Sequence, residues 1–300
     1  TGYTCSPTTM AANTTAVTVS YSEGGVTKTT TTPVTVTSIS NTLASNSWAT
    51  IRAVSDAGKG SNYWSVGDAK GITINGKVGA TTFSNLAISV FILGFNHNAS
   101  REGSNRIHFQ IGKINGTLVG LVDGNYSNYT STTGAFTMNT SNTNSGGGNN
   151  SHMRKTVLGS NSASATSPAA NTLLAALPAD LRAVMKPATK YSDNTGGGSD
   201  AASYVTSTTD LLPLLSEFEY HGARSYANSA EKNYQAQYDY YRAGNSKVHY
   251  RHNATGTAAI AWCRSVYSSN TSTFCLVNTG GSASGYYANN SWALAPCFFV

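Results

Sequence analysis

Three times in its first 120 residues the chain sets a pair of turn residues between β-prone runs, and these pairs limit the fold more than any other feature. Gly24-Gly25 divides residues 16–21 from 26–36, Asn75-Gly76 divides 72–74 from 77–78, and Asn115-Gly116 divides 107–111 from 118–122. Two-residue turns of this kind need positive φ at both positions, which Gly and Asn adopt most readily. Each pair therefore predicts a β-hairpin. Residues 86–95 (LAISVFILGF) form a continuous apolar run of strand length, expected to be a buried central strand.

Helical patterning is shorter and scattered. Ser47 is an N-cap candidate before a short helix reaching residues 53–57. Residues 168–177 carry Leu173, Leu174 and Leu177 at helical spacing and end at Pro178, with a further turn at 179–182. Residues 211–220 (LLPLLSEFEY) read as a strand, and 229–242 as a helix with Tyr234, Tyr238 and Tyr241 on one face. Residues 126–150, rich in Ser, Thr, Asn and Gly, read as a long exposed loop, and 190–204 as another. Short strands are expected at 258–264, 273–277 and 295–300. Taken together the pattern is mixed, α+β.

Only 11% of residues are charged, against roughly 25% in an average soluble domain. Hydroxyl and amide side chains make up the difference, a style that points outside the cytoplasm. The net charge of +6 reflects scarce carboxylates rather than a basic stripe, so nucleic acid is not the expected partner. No apolar run approaches the length of a membrane span. Cys5, Cys263, Cys275 and Cys297 match no CxxC metal pattern, and a local disulfide among the last three is compatible with their positions. The chain opens at Thr1 inside a β pattern, as expected for a processed or truncated piece of a longer protein.

Few residues invite catalytic roles. His97 and His108 lie close in sequence but lack zincin spacing and a flanking carboxylate. Glu217 and Glu219, two apart in the expected strand with Asp210 nearby, would share a face, although loop anchoring is the commoner use of such a pair. No GxSxG elbow is present, and the glycines at 146–148 and 196–198 lack a phosphate-loop Lys. The reading is of no catalytic residue, no metal and no cofactor. Residues 265–300 stand apart, without one Asp, Glu, Lys, Arg or His. Their mixture of Tyr, Trp, Ser, Gly and Asn is the one that binding loops favour. The candidate contacts are Tyr267, Asn270, Thr271, Thr273, Leu276, Asn278, Tyr286, Tyr287, Asn289, Asn290 and Trp292. A neutral β-meander with Tyr and Asn in its turns would have the same composition.

Two resemblances add to this reading. VTVSYSEGGVTKT followed by VTVT resembles the last hairpin of a bacterial immunoglobulin-like module, of the kind that acts as a spacer in surface and fibre proteins. From about residue 46 onward, SWATIRAVSDAGKGSNYWSVGDAKGITINGKVG, VFILGFNHN, RIHFQIGK, LLAALPADLRAVMKPATKYSDNTGGG and AIAWCRS with ALAPCFFV resemble a domain of unknown function from phage and Firmicutes genomes. That family is similar to C-type-lectin-like phage tropism proteins diversified by retroelements. The resemblance implies residues 1–38 as the end of an immunoglobulin-like module and 39–300 as a C-type-lectin-like ligand-binding domain, α+β, with a variable-type segment at 258–300. Trp262, Arg264, Ser265, Phe274, Val277, Gly281, Pro296 and Phe298 would be its frame, and the positions between them variable. Ala261-Trp262-Cys263-Arg264-Ser265-Val266 departs from the Trp-Trp-Leu-Arg-Ser-Pro common in that family. The implied function is non-enzymatic recognition of a host-cell surface protein or glycan by a homo-oligomeric virion or bacterial surface protein. Two alternatives stand beside it. The same face could pack against other virion or surface-protein subunits, or the chain could be an oxidase of the formylglycine-generating type, using a cysteine pair.

Overall fold

A computed structural model describes residues 2–10, 14–34, 36 and 38–300. The chain divides into two compact units, Thr1–Asn41 and Thr42–Val300. In the first, β1 (Gly2–Ser6), β2 (Ala16–Glu23) and β3 (Val26–Pro33) form one antiparallel sheet. Gly24 and Gly25 make the β2–β3 turn with φ of 58° and 80°, as their sequence predicts.

The second unit is built on sheets. β4 (Ala69–Val78), β5 (Thr81–Phe95), β6 (Ile107–Ile114) and β7 (Thr117–Gly120) run as an antiparallel meander. β8 (Ala188–Asp193) and β9 (Val205–Asp210) pair separately. β10 (His249–Arg251) joins the meander parallel to β7, and β11 (Ala254–Ala259) pairs antiparallel to β10. β12 (Ala261–Val266), β13 (Thr273–Val277) and β14 (Ala283–Tyr287) form a three-stranded antiparallel sheet, and β15 (Cys297–Phe299) returns to pair with β6. Phe91, Leu93, Tyr220, Tyr238, Cys263, Cys275, Val277, Cys297 and Phe299 meet in one buried cluster. The large sheet, the small sheet and the 217–241 region thus share a core.

This architecture corrects the expectation of an α+β, C-type-lectin-like domain: strand makes up 35% of the chain and helix only 19%. The longest helix, Trp48–Asp56, has nine residues and starts at the expected cap, where Ser47 Oγ accepts from Thr50 N at 3.0 Å. The other helical segments stop within a turn or so. In 168–177 only Leu173–Ala176 is helical, because Pro178 follows directly. The expected Tyr-rich helix breaks into Ser229–Asn233 and Asp239–Arg242, and its tyrosines separate. Tyr234 stacks on Tyr191, while Tyr238 and Tyr241 enter different parts of the core. Residues 211–220 are not a strand. Ser216 and Glu219 form a capping box that opens the helix Glu217–His221, closed by Gly222 at φ 68°.

Two local expectations also change. β4 runs straight through Asn75-Gly76, which makes a bulge, and the β4–β5 turn falls at Gly79-Ala80. Gly79 must be a glycine, since a Cβ there would lie 2.0 Å from the Gly134 carbonyl oxygen. Residues 126–150 are partly exposed, as at 127–133, and partly packed, with Phe136, Thr137 and Asn144 wholly buried. Asn144 explains this: its Nδ2 donates to the Asn270 and Thr273 carbonyls, and its Oδ1 accepts from Gly197 N. One amide thus satisfies three backbone groups from two other segments. The Asn115-Gly116 turn and the buried centre of β5 match expectation.

Candidate functional site

Burial of apolar side chains is nearly complete in the second unit. The exposed large hydrophobic residues there are Tyr129, Tyr286 and Tyr287, with 56%, 38% and 43% of their surface accessible. They lie together. Tyr129 is 6.3 Å from Tyr286 and 6.1 Å from Tyr287 between ring centroids, and Tyr286 and Tyr287 are 5.7 Å apart. Behind them the largely buried Trp292 meets Tyr286 edge-on at 5.3 Å, and Tyr126 meets Trp292 at the same distance.

Two chain segments bring these rings together. Tyr286 and Tyr287 end β14, whose register with β13 (Thr273↔Tyr287, Phe274↔Tyr286) is fixed by a turn that Asn278 holds, Oδ1 accepting from Gly280 N and Ser282 N. The chain then continues through 288–294, and residues 121–136 lie beside it. Bridges Leu121↔Leu294 and Tyr129↔Asn290 set the alignment, and Ser127 N, Thr130 N and Ser291 N donate across to Ser291, Asn289 and Asn128 carbonyls. Asp123 locks both ends of the irregular segment. Its Oδ1 accepts from Ser291 Oγ at 2.6 Å and Asn125 N at 3.0 Å, and its Oδ2 from Phe136 N at 2.7 Å. Trp262 Nε1 donates to the Phe136 carbonyl, tying the loop to β12.

The electrostatics of the patch are those of neutral dipoles. The Tyr286 hydroxyl, hydrogen-bonded to Tyr129, raises the Tyr129 pKa. Three buried polar atoms of the 289–292 segment have no partner within the protein: Asn289 Oδ1, Asn290 Oδ1 and Trp292 Nε1. The nearest cation, Arg251, has its guanidinium 4.2 Å from the Tyr126 ring centroid.

The eleven contact residues expected from sequence do not form one face. Tyr286, Tyr287, Asn289 and Trp292 gather at the patch, and the buried Asn290 bridges Tyr129 through its backbone. Tyr267 stacks instead on Tyr226 at 4.9 Å and covers Gly285, where a Cβ would come within 2.6 Å of its ring. Thr273 and Leu276 are buried and offer nothing to a ligand. Asn270 holds its own loop, Oδ1 accepting from Ser272 N and from Thr273 Oγ1, while Thr271 is exposed beside it. Sequence reading missed Tyr126 and Tyr129. The signal was present as two tyrosines in the run NYSNYTST, which otherwise contains only small polar residues.

The other chemistry-bearing residues converge in the core. Lys190 Nζ, fully buried, donates to Glu102 Oε2 at 2.5 Å, Glu219 Oε1 at 2.8 Å and Tyr238 Oη at 3.0 Å. Arg264 makes two further bonds to Glu219. Burial opposes ionisation of Glu219, but the Arg264 and Lys190 charges outweigh it and hold that carboxyl well below the usual range. His97 stacks on Tyr238 at 3.9 Å, and burial with the nearby Lys190 charge lowers its pKa to about 3. Ligand atoms of His97, Glu102 and Glu219 lie within 4.8 Å of one another, a spacing that would suit a metal ion. The donor set does not fit one, because the Lys190 ammonium already bonds both carboxylates and Arg264 takes the remaining Glu219 oxygen. Two cations and two anions balance there. The cluster is a neutralised frame.

Glu217 is likewise an anchor, accepting from Ser225, Tyr226 and Ala227 backbone N–H groups. Cys263, Cys275 and Cys297 are unbridged and buried, and burial pushes the Cys297 thiol up to about 12. The cleft beside Arg154, Asp210 and Arg264 has about 20 Å³ of room, enough for one water molecule. Among the described residues no helix is long and apolar enough to cross a membrane.

Residues 169–300 match the model of a domain of unknown function, DUF6273. The matched range is shorter than the resemblance read from residue 46 onward. It contains β8–β15 with Tyr286, Tyr287 and Trp292, whereas Tyr126, Tyr129 and Asp123 precede it. No curated protein and no solved structure matches the chain.

Proposed function

We propose that residues 42–300 act as a recognition domain of an extracellular protein, displayed on a virion or bacterial surface and binding a molecule of a host-cell surface without catalysis. One observation carries this reading: the three exposed large hydrophobic residues of the unit form a single ring cluster. Scattered exposed apolar residues are ordinary, whereas a contiguous aromatic patch rimmed by small polar residues is what binding surfaces look like. The scarcity of charge is that of extracellular β-rich proteins. The N-terminal sheet, on this reading, belongs to a spacer module. Variation of the C-terminal segment is tolerated at exposed Thr271, Tyr286 and Tyr287, and opposed by packing at Thr273 and Leu276.

The test is adsorption of the purified chain to intact cells of candidate host strains, beside a Tyr129→Ala/Tyr286→Ala/Tyr287→Ala variant whose fold is checked by circular dichroism. Binding that depends on the three rings supports the proposal. Equal binding by both proteins, or none by either, overturns it. Sedimentation of both proteins covers the remaining outcome: an oligomer that dissociates in the variant assigns the rings to subunit packing instead.

A further inference from the structure

The geometry points to a neutral glycan chain, rather than a protein, as the occupant of the Tyr129–Tyr286–Tyr287 patch; this inference rests on the recognition reading above. Its first support is area. At roughly 200 Å² per aromatic side chain, the accessible parts of the three tyrosines amount to roughly 300 Å². A stable protein interface needs about 800 Å² per partner. A protein partner would have to extend well past the rings onto Ser, Thr and Asn side chains that offer no hydrophobic anchor. One or two sugar rings are covered by an area of this size.

The second support is the polar chemistry of the 289–292 segment. Asn290 and Trp292 are each more than nine-tenths buried, yet Asn290 Oδ1 and Trp292 Nε1 lack a partner, as does Asn289 Oδ1. A buried polar atom without a hydrogen bond costs about 1–3 kcal/mol, which a ligand or water that reaches it would recover. Here two acceptors and one donor lie within four residues of one another in sequence, on the segment that pairs with Tyr129 through the Tyr129↔Asn290 bridge and sets Trp292 against Tyr286. Sugar hydroxyls both donate and accept, and the C–H faces of a pyranose pack on aromatic rings. One ligand class thus satisfies both halves of the site.

The third support is charge. Residues 265–300 contain no ionisable Asp, Glu, Lys, Arg or His. Asp123 is buried with both its oxygens occupied, and Arg251 lies against Tyr126. The Arg251 guanidinium, whose Nε also lacks a partner, packs on Tyr126 rather than on the three exposed rings, so the exposed surface itself is uncharged and the chain recognised is a neutral one. The rings are tilted by 36–40° between Tyr129 and the other two. Tyr286 and Tyr287 stand at 75° to each other, so the three rings offer separate faces rather than one flat surface.

The experiment uses the full chain and a strain to which it adsorbs. The deproteinised neutral polysaccharide fraction of that strain is immobilised, and binding is followed by biolayer interferometry before and after periodate oxidation, which cleaves vicinal diols. The expected result is binding to the untreated fraction, loss after oxidation, and binding about tenfold weaker or more for Tyr287→Ala. Retention on intact cells without retention on the polysaccharide, or equal binding after oxidation, overturns the glycan assignment while leaving recognition standing. Failure to bind any intact cell is the separate result that overturns the recognition reading itself.

Discussion

Lys190→Met tests whether the buried charge cluster is a frame rather than a site. The ammonium is the cation that hydrogen-bonds Glu102, which otherwise meets Asn98 Nδ2 at 3.4 Å and the His108 ring at 3.8 Å, whereas Glu219 keeps two bonds to Arg264. Removing Lys190 therefore leaves one buried carboxylate uncompensated. Breaking a buried pair in this way costs about 3–5 kcal/mol. Burial already pushes the Glu102 carboxyl up, so it escapes part of that cost by taking a proton, and the defect shrinks on acidification toward pH 5. For a unit of this size each kcal/mol shifts Tm by about 2–4 °C, so the expected fall is roughly 10 °C. Adding Glu102→Gln to Lys190→Met removes the stranded charge and recovers about half of the loss. Urea titrations of the single and double variants at two pH values measure all of these terms. A loss below about 1 kcal/mol for Lys190→Met, or strict additivity in the double variant, refutes the reasoning.

Acid sensitivity follows from the histidines. Burial lowers His97 to about 3 and His249 to about 4, and places His108 well below its ordinary value. Below about pH 6.5 the unfolded chain takes up protons that these residues refuse, so their contribution, fully present above 6.5, is lost as pH falls. Glu231, raised by burial to about 7, works in the opposite direction, and so does Glu102. Once the unfolded histidines are fully protonated, toward pH 5, three protons against two leave a net of about one, or about 1.4 kcal/mol per pH unit there, and urea midpoints that stay flat between pH 6.5 and 5 contradict it. Asp123→Ala strands Ser291 Oγ and the Phe136 N–H, so it is expected to cost about 2–4 kcal/mol and to weaken cell binding without touching a contact residue. Unchanged binding by a folded Asp123→Ala protein would show that the 121–136 loop does not position the rings. Gly285→Ala forces a Cβ to 2.6 Å from the Tyr267 ring and 2.9 Å from Thr273. An overpacking cost of about 1–3 kcal/mol is expected by thermal denaturation, and a neutral effect means that the Tyr226–Tyr267 stack yields freely.

How far the sequence foretold this molecule depended on the range of the interaction. Gly24-Gly25, Asn115-Gly116, the Ser47 cap and the β5 core run were legible because each rests on neighbours in sequence. Asn75-Gly76 carries the same local signal and misleads, since the close approach of Gly79 to Gly134 fixes the turn four residues later. The 211–220 run looked like a strand because its apolar residues are continuous. The capping box at Ser216 and Glu219 decides for helix, and Glu219 was selected by Arg264 and Lys190, both remote in sequence. The C-type-lectin-like, α+β expectation fails for a related reason: apolar periodicity marked helices at 168–177 and 229–242 that proline and tertiary contacts cut to single turns. The binding patch was half legible. Tyr286, Tyr287 and Trp292 stood out in an uncharged segment, but Tyr129 reaches them through a loop held by Asp123 and Asn144, whose partners Ser291, Asn270 and Thr273 lie more than a hundred residues away.

Hydroxyl-radical footprinting of the chain, free and adsorbed to cells, asks most directly whether the aromatic patch is the contact surface. In the free protein Tyr129, Tyr286 and Tyr287 should all react, as should Tyr3 of the N-terminal sheet, which is 77% exposed and serves as an internal reference. On adsorption the three patch tyrosines should lose their reactivity while Tyr3 keeps it. Undiminished labelling of Tyr129, Tyr286 and Tyr287 on bound protein, or protection confined to other surfaces, contradicts the account.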